Sequence, residues 1–374
     1  MKIRKGWKWL LFPMVAALLV ATFLLVGCSN STQTPTPTPT TTGTTPPQSV
    51  SLNGAGGTFP LPLYTKWFDV YYQLTGVKIN YQPIGSGAGI NQITAGTVDF
   101  GASDAIMTPE QQAKAEAAGG PILHIPMTSG AIAIIYNLTG VSSGQLKLTG
   151  DVLAKIYLKT ITNWNNPQII ALNPGLNLPN TPIAVVHRSD GSGTTFIFTD
   201  YLSKVSSAWS TQVGSATSVS WPGDIGAEKN AGVAGMVQQI PGAIGYVELA
   251  YAEQNNLPWI LLQNAAGNYE APSLEGTTKA MEGIVLPDDM KVMITNSSNP
   301  DAYPICGLTW ILAYVNQTDK TKGEALVNAL WWGIHDGQQY ATSLDYAPLS
   351  STAVTKAENE IKSIKYQGQS LLSP

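Results

Sequence analysis

Cysteine and histidine are scarce in this chain of 374 residues, with two of the first and three of the second. Cys28 lies in the N-terminal segment and Cys306 stands alone in the body, which excludes an internal disulfide there and any thiolate cluster for a metal. His124, His187 and His335 are never four residues apart, so transition-metal chemistry has little to build on and no cofactor is implied. Charged residues make up only 12% of the chain, against about 25% in an ordinary globular domain. Ser, Thr, Asn, Gln and Gly must therefore cover much of the surface. Arginine is rarer still: Arg4 and Arg188 are the only two. Beyond residue 50, sixteen basic and twenty-four acidic residues leave a net charge of −8, which argues against a nucleic acid or an anionic membrane surface as a partner.

What is present begins with a secretion signal. Residues 1–8 carry four positive charges, 9–26 form an apolar run, and the run closes on Leu25-Val26-Gly27-Cys28. Eighteen apolar residues also sit at the lower limit of a membrane span. A small residue followed by cysteine resembles the lipobox of bacterial lipoproteins, which implies a signal peptide over 1–28, cleavage before Cys28, and acylation of its thiol. The protein would then be exported and lipid-anchored, facing the periplasm or the cell exterior. Residues 29–50 hold nine threonines and five prolines and no charge, too little apolar surface to offset the entropy of ordering. They read as a disordered tether with a reach of roughly 60–70 Å at proline-rich extension.

The 324 residues from 51 onward suffice for two ordinary lobes. "LPLYTKWFDVYYQLTG" places Leu63, Trp67, Val70, Tyr71 and Leu74 on one helical face and stops at Gly76. "VKINYQPI" alternates as a strand does, "GSGAGINQITAG" reads as a tight turn into a short helix, and "VDFGASDA" as a strand leading to a loop. Further strands, "AIAIIYN" and "IAVVHRS", lie near helical stretches "TGDVLAKIYL" and "TTFIFTDYLSKV". Repeated strand–helix–strand units predict an α/β fold with mostly parallel sheets.

In such folds ligands bind where strands give way to helices. Three stretches at such junctions combine glycine with a hydroxyl: "GAGGTFP" (54–60), "GSGAG" (85–89) and "DGSGTT" (190–195). The first N–H groups of a helix have no internal partner, and Thr58, Ser86, Ser192 and Thr194 would add donors around one anion. Neither a dinucleotide fingerprint nor a P-loop is complete in these stretches.

"GAGGTFPLPLYTKW", "YQPIGSGAG", "TVDFGASDA", "IAVVHRSDGSGTTFIFTDYL", "NPGLNLP", "PGAIGYVE" and "LDYAPL" together resemble, in order and spacing, the phosphate-binding proteins of bacterial phosphate-specific ABC importers. The resemblance implies a type II periplasmic-binding-protein fold: two lobes of mixed, mostly parallel sheet, joined by a two-strand hinge, with lobe I over 51–126 plus 306–374 and lobe II over 127–305. It implies a receptor for inorganic phosphate, not an enzyme, that closes on its ligand and delivers it to a membrane permease powered by an ATPase. By the same likeness Thr58, the Phe59 N–H, Ser86 and Asp104 of the first lobe and Arg188, Ser192, Gly193 and Thr194 of the second would contact the anion, with Asp190 holding the guanidinium in place.

The chemistry agrees. A planar guanidinium gives paired hydrogen bonds that an ammonium does not match. A carboxylate at 104 can accept the proton that phosphate retains at neutral pH, whereas fully ionised sulfate offers none, so repulsion becomes discrimination. Two other readings stand beside this one: a receptor for sulfate, molybdate or tungstate on the same fold, which Asp104 opposes, and a secreted phosphatase using a serine of "DGSGTT" with a histidine, although G-x-S-x-G is missing there. His187 occupies a position where family members often carry a second basic residue.

Overall fold

A computed structural model describes residues 50–372 with the exception of Asp224 and Gly283. The signal peptide, Cys28 and all of the tether but Val50 lie outside the described residues. Among the described residues no helix is long and apolar enough to cross a membrane.

The body opens with two successive strand–helix–strand units. Strand β1 (Ser51–Gly56) pairs in parallel with β2 (Lys78–Pro83) on one side and with β3 (Phe100–Ser103) on the other. Helix α1 (Leu61–Thr75) joins β1 to β2, and α2 (Ser86–Thr94) joins β2 to β3. In α1 the buried face is Leu63, Tyr64, Trp67 and Tyr71. Leu74, expected on that face, is 65% exposed: it falls in the last turn, where the chain leaves the core. Gly76 ends the helix at φ 74°, a left-handed conformation that costs glycine little, and its N–H caps the Tyr72 carbonyl at 2.8 Å.

Eight strands form one mixed sheet, in the order β2, β1, β3, Cys306–Tyr314, β4 (Ile122–Tyr136), Ala243–Glu248, Ala184–Arg188, Ile225–Ala227. The two outer groups are parallel within themselves, and the two central strands are antiparallel to their neighbours and to each other. β4 is buried over almost its whole length, which accounts for the unbroken apolar stretch of its second half, Ala131 to Tyr136, where an amphipathic strand would alternate. Edge strand β2 shows the opposite pattern, with Lys78 and Gln82 exposed.

One irregularity in the central pair bears on function. Thr309 pairs with Thr128, but Trp310 pairs with Pro126, which leaves Met127 as an extra residue on β4. Proline has no N–H for the ladder, so the bulge belongs there. The C-terminal segment is fixed to α1 by Trp67, whose buried indole donates to the Gly337 carbonyl at 2.7 Å; truncating such a side chain typically costs about 3–5 kcal/mol.

Candidate functional site

Three helix N-termini converge beyond the strand ends. Thr58 and Phe59 lie in the turn between β1 and α1, Ser86 opens α2, and Ser192 caps the helix Gly193–Val205, its Oγ accepting from the Thr195 N–H at 3.0 Å. Thr58 and Thr194 are brought together by Asn230, whose Nδ2 donates to Thr58 Oγ1 at 2.9 Å and to Thr194 Oγ1 at 3.2 Å. Gly193 packs against Asp104 and Ser86 so closely that a Cβ on it would lie 2.5 Å from Asp104 Cβ and 2.6 Å from Ser86 Oγ. Only glycine fits there. Gly87 N–H reaches the Gly191 carbonyl at 3.0 Å, so the second and third junctions are also in contact.

All the residues expected to meet an anion are therefore in one cluster, and their side chains are buried: Thr58, Phe59, Ser86, Asp104, Arg188, Ser192 and Thr194 are each at most 3% exposed. Ser86 Oγ donates to Asp104 Oδ2 at 3.3 Å and accepts from the Asp104 N–H at 3.2 Å. Thr309, at the bulge between the central strands, donates to Asp104 Oδ1 at 2.7 Å.

Arg188 uses one edge of its guanidinium on Asp190. Nε donates to Oδ1 at 2.7 Å and Nη2 to Oδ2 at 2.5 Å. The remaining N–H groups on Nη1 and Nη2 form the other edge of the fork, and Nη1 lies 3.5 Å from Thr194 Oγ1. Lysine has no second edge. Behind the fork, the Arg188 backbone N–H donates to Tyr246 OH at 3.0 Å, and the neighbouring His187 ring stacks on Trp221 at 4.8 Å with Nδ1 3.0 Å from the Arg188 carbonyl.

The two carboxylates of the cluster titrate apart. Burial pushes Asp104 up to about 7, against the opposing pull of the Thr309 hydroxyl, the Arg188 charge and the Ser86 hydroxyl. Burial also acts to raise Asp190, but its hydrogen bonds and charge pairing with Arg188, with the Lys229 N–H, hold it below the ordinary carboxylate value. Asp190 is thus the permanent counter-ion of the arginine, and Asp104 is the group able to exchange a proton with whatever enters.

A second layer is not legible in sequence. Tyr251 OH donates to the Thr58 carbonyl and Tyr346 OH to the Phe59 carbonyl, both at 2.6 Å. Tyr346 OH also lies 2.9 Å from Glu248 Oε2. One hydroxyl hydrogen cannot serve both contacts, and a carbonyl only accepts, so a proton on Glu248 satisfies the second. Burial raises Glu248 well above the usual range, in agreement. Glu248 and Tyr346 fall in the quoted stretches "PGAIGYVE" and "LDYAPL", but nothing in those strings signals their contact; Asn230 and Thr309 carry no motif.

Taken together, the cluster offers converging hydroxyls, helix-terminal N–H groups, half a guanidinium fork and one proton-accepting carboxyl, a donor-rich set of groups suited to a partly protonated tetrahedral oxyanion. The profile of the PBP superfamily domain matches residues 34–329. The chain is 43% identical over 343 residues to the phosphate-binding protein PstS of Xylella fastidiosa, covering 89% of this chain and 93% of that one. It is 44% identical over 319 residues to the phosphate-binding protein PstS of Haemophilus influenzae, covering 84% and 93%. The crystal structure of a phosphate-binding protein from Stenotrophomonas maltophilia superposes with a TM-score of 0.65 at 17% identity, over 83% of this chain and 93% of that one, and so shares its fold. This chain belongs to the PBP superfamily and, within it, to the family of the PstS phosphate-binding proteins.

Proposed function

We propose that this protein is the extracytoplasmic receptor for inorganic phosphate that passes the anion to an ABC-type importer. The observation that carries the reading is Asp104: a wholly buried carboxyl, titrating near neutrality, set among hydroxyl donors and within the field of Arg188. Such a group is a liability in a site for a fully ionised anion and an asset in one for an anion that brings a proton. Thr58, the Phe59 N–H, Ser86, Asp104, Arg188, Ser192, Gly193 and Thr194 form the ligand shell in this reading, and Asp190 positions the guanidinium. The relatives are named as binding proteins, and here the Ser192 hydroxyl and the His187 imidazole each have backbone partners rather than one another.

Residues 51–126 with 306–374 constitute lobe I and 127–305 lobe II. The division is supported by the sheet, whose outer strand groups come from 51–103 on one side and 184–248 on the other, with β4 and Cys306–Tyr314 side by side between them. Ligand groups from both outer groups meet only when these halves approach, so binding energy drives closure, and the closed surface is what a membrane permease with its ATPase would recognise. Small-angle scattering of the 48–374 body should show a contraction that saturates at one equivalent of phosphate; identical profiles with and without phosphate contradict closure. The N-terminal segment, outside the described residues, is read as a signal peptide and a Cys28 lipid anchor followed by the tether. On that reading Cys28→Ser abolishes fatty-acid labelling, and persistent labelling refutes it.

A further inference from the structure

Asn230 is fully buried near the start of the helix Lys229–Gln239, and its amide has a determined orientation. The Glu248 backbone N–H lies 3.0 Å from Oδ1 and can only donate, which places oxygen on that side and Nδ2 on the other. Nδ2 then donates to both Thr58 Oγ1 and Thr194 Oγ1. Thr58 Oγ1 also receives the Asn230 backbone N–H at 3.4 Å, and Thr194 Oγ1 faces Arg188 Nη1 at 3.5 Å. A hydroxyl has two lone pairs and one hydrogen. With the lone pairs of both threonines turned toward Asn230 and Arg188, the hydrogen of each is left to point elsewhere.

We propose that Asn230 is a positioning residue that presets Thr58 and Thr194 as donors to the anion. This rests on the phosphate-receptor reading above and adds a residue to it. A free threonine hydroxyl can present either a lone pair or a hydrogen to its neighbour; Asn230 removes the first choice at both positions, so no reorientation is needed when an oxyanion arrives. Because Thr58 lies in the turn after β1 and Asn230 in the helix after Ile225–Ala227, a strand of the other outer group, the amide also ties hydroxyl orientation to the approach of the two halves.

The test is a mutant cycle read by calorimetric titration with inorganic phosphate. Asn230→Asp keeps the size of the side chain and the acceptor for the Glu248 N–H, but turns the donor face into an acceptor that draws both hydroxyl hydrogens inward. Affinity should fall by roughly 100-fold or more, as two donors are lost and a charge is added. In a Thr58→Val/Thr194→Val background only the charge remains, and the same substitution should cost at most about a tenth of that factor. Equal losses in both backgrounds overturn the proposal. Asn230→Ala, without the charge, should weaken binding by about 10-fold in the parent and by less than about threefold in the double-valine background; wild-type affinity in Asn230→Ala also overturns it. Unfolding midpoints without phosphate register any loss of the Glu248 bond separately, and if the alanine variant does not fold, the aspartate cycle decides. A parent protein that takes up no phosphate at all overturns the receptor reading itself, a result distinct from additive losses in a protein that binds.

Discussion

Arg188→Lys is expected to weaken phosphate binding by about 30- to several-thousand-fold, corresponding to about 2–5 kcal/mol for a buried charge-assisted contact. The charge is conserved in this substitution, so the loss comes from geometry. In the folded protein Nε and Nη2 form a paired contact with Asp190 while the other edge of the same plane is left for the anion. An ammonium can satisfy Asp190 or the ligand, but not both with parallel bonds. The lysine variant would also leave Asp190 less fully compensated in a part-buried position. Calorimetric titration measures the effect, and a change under threefold would place Arg188 outside the site.

The scarcity of arginine makes this residue conspicuous in the sequence, and the three glycine–hydroxyl junctions are visible there for a related reason. Each is a local string in which a backbone requirement and a donor requirement coincide, and local strings survive in sequence. The strand–helix alternation is legible likewise, from α1 through β3 and again at Ala184–Arg188 and the helix that follows it. Asn230, Thr309, Glu248 and Tyr346 are not, because each acts through a partner far away in the chain: Asn230 reaches Thr58 across 172 positions, Thr309 reaches Asp104 across 205, and Tyr346 reaches Phe59 across 287. No periodicity records such a contact. Leu74 departs from expectation for the opposite reason, since a helical stripe extrapolated to its end assumes that the core extends equally far, and here it does not.

Asp104→Asn should alter both selectivity and stability, in directions fixed by the raised titration of the carboxyl. The folded protein keeps a proton on Asp104 up to about 7, whereas the ordinary value is 3.8. The stabilisation associated with that proton is whole below about pH 4 and is lost as the pH rises to about 7, so ligand-free wild type should become less stable across this window. Asparagine carries no such proton. The variant should lack that share of the slope, and also the smaller share by which the Asp104 charge raises Glu248; the contribution of Glu360, which burial and Asp289 push up to about 9, is the same in both proteins and cancels from the difference.

Selectivity follows from the same proton. At about pH 8.5 Asp104 is ionised and phosphate still carries a hydrogen to give it, whereas sulfate would bring bare oxygens against the carboxylate. In Asp104→Asn the amide offers N–H groups to either anion. Phosphate loses an acceptor and escapes a repulsion, so its affinity changes modestly, while sulfate gains. The most direct measurement is therefore paired calorimetric titration of wild type and Asp104→Asn with phosphate and with sulfate at that pH. The phosphate-to-sulfate affinity ratio is expected to fall by roughly 100-fold or more in the variant, far beyond the change in phosphate binding itself. An unchanged ratio would contradict this, because Asp104 would then not be the group that reads the ligand's proton.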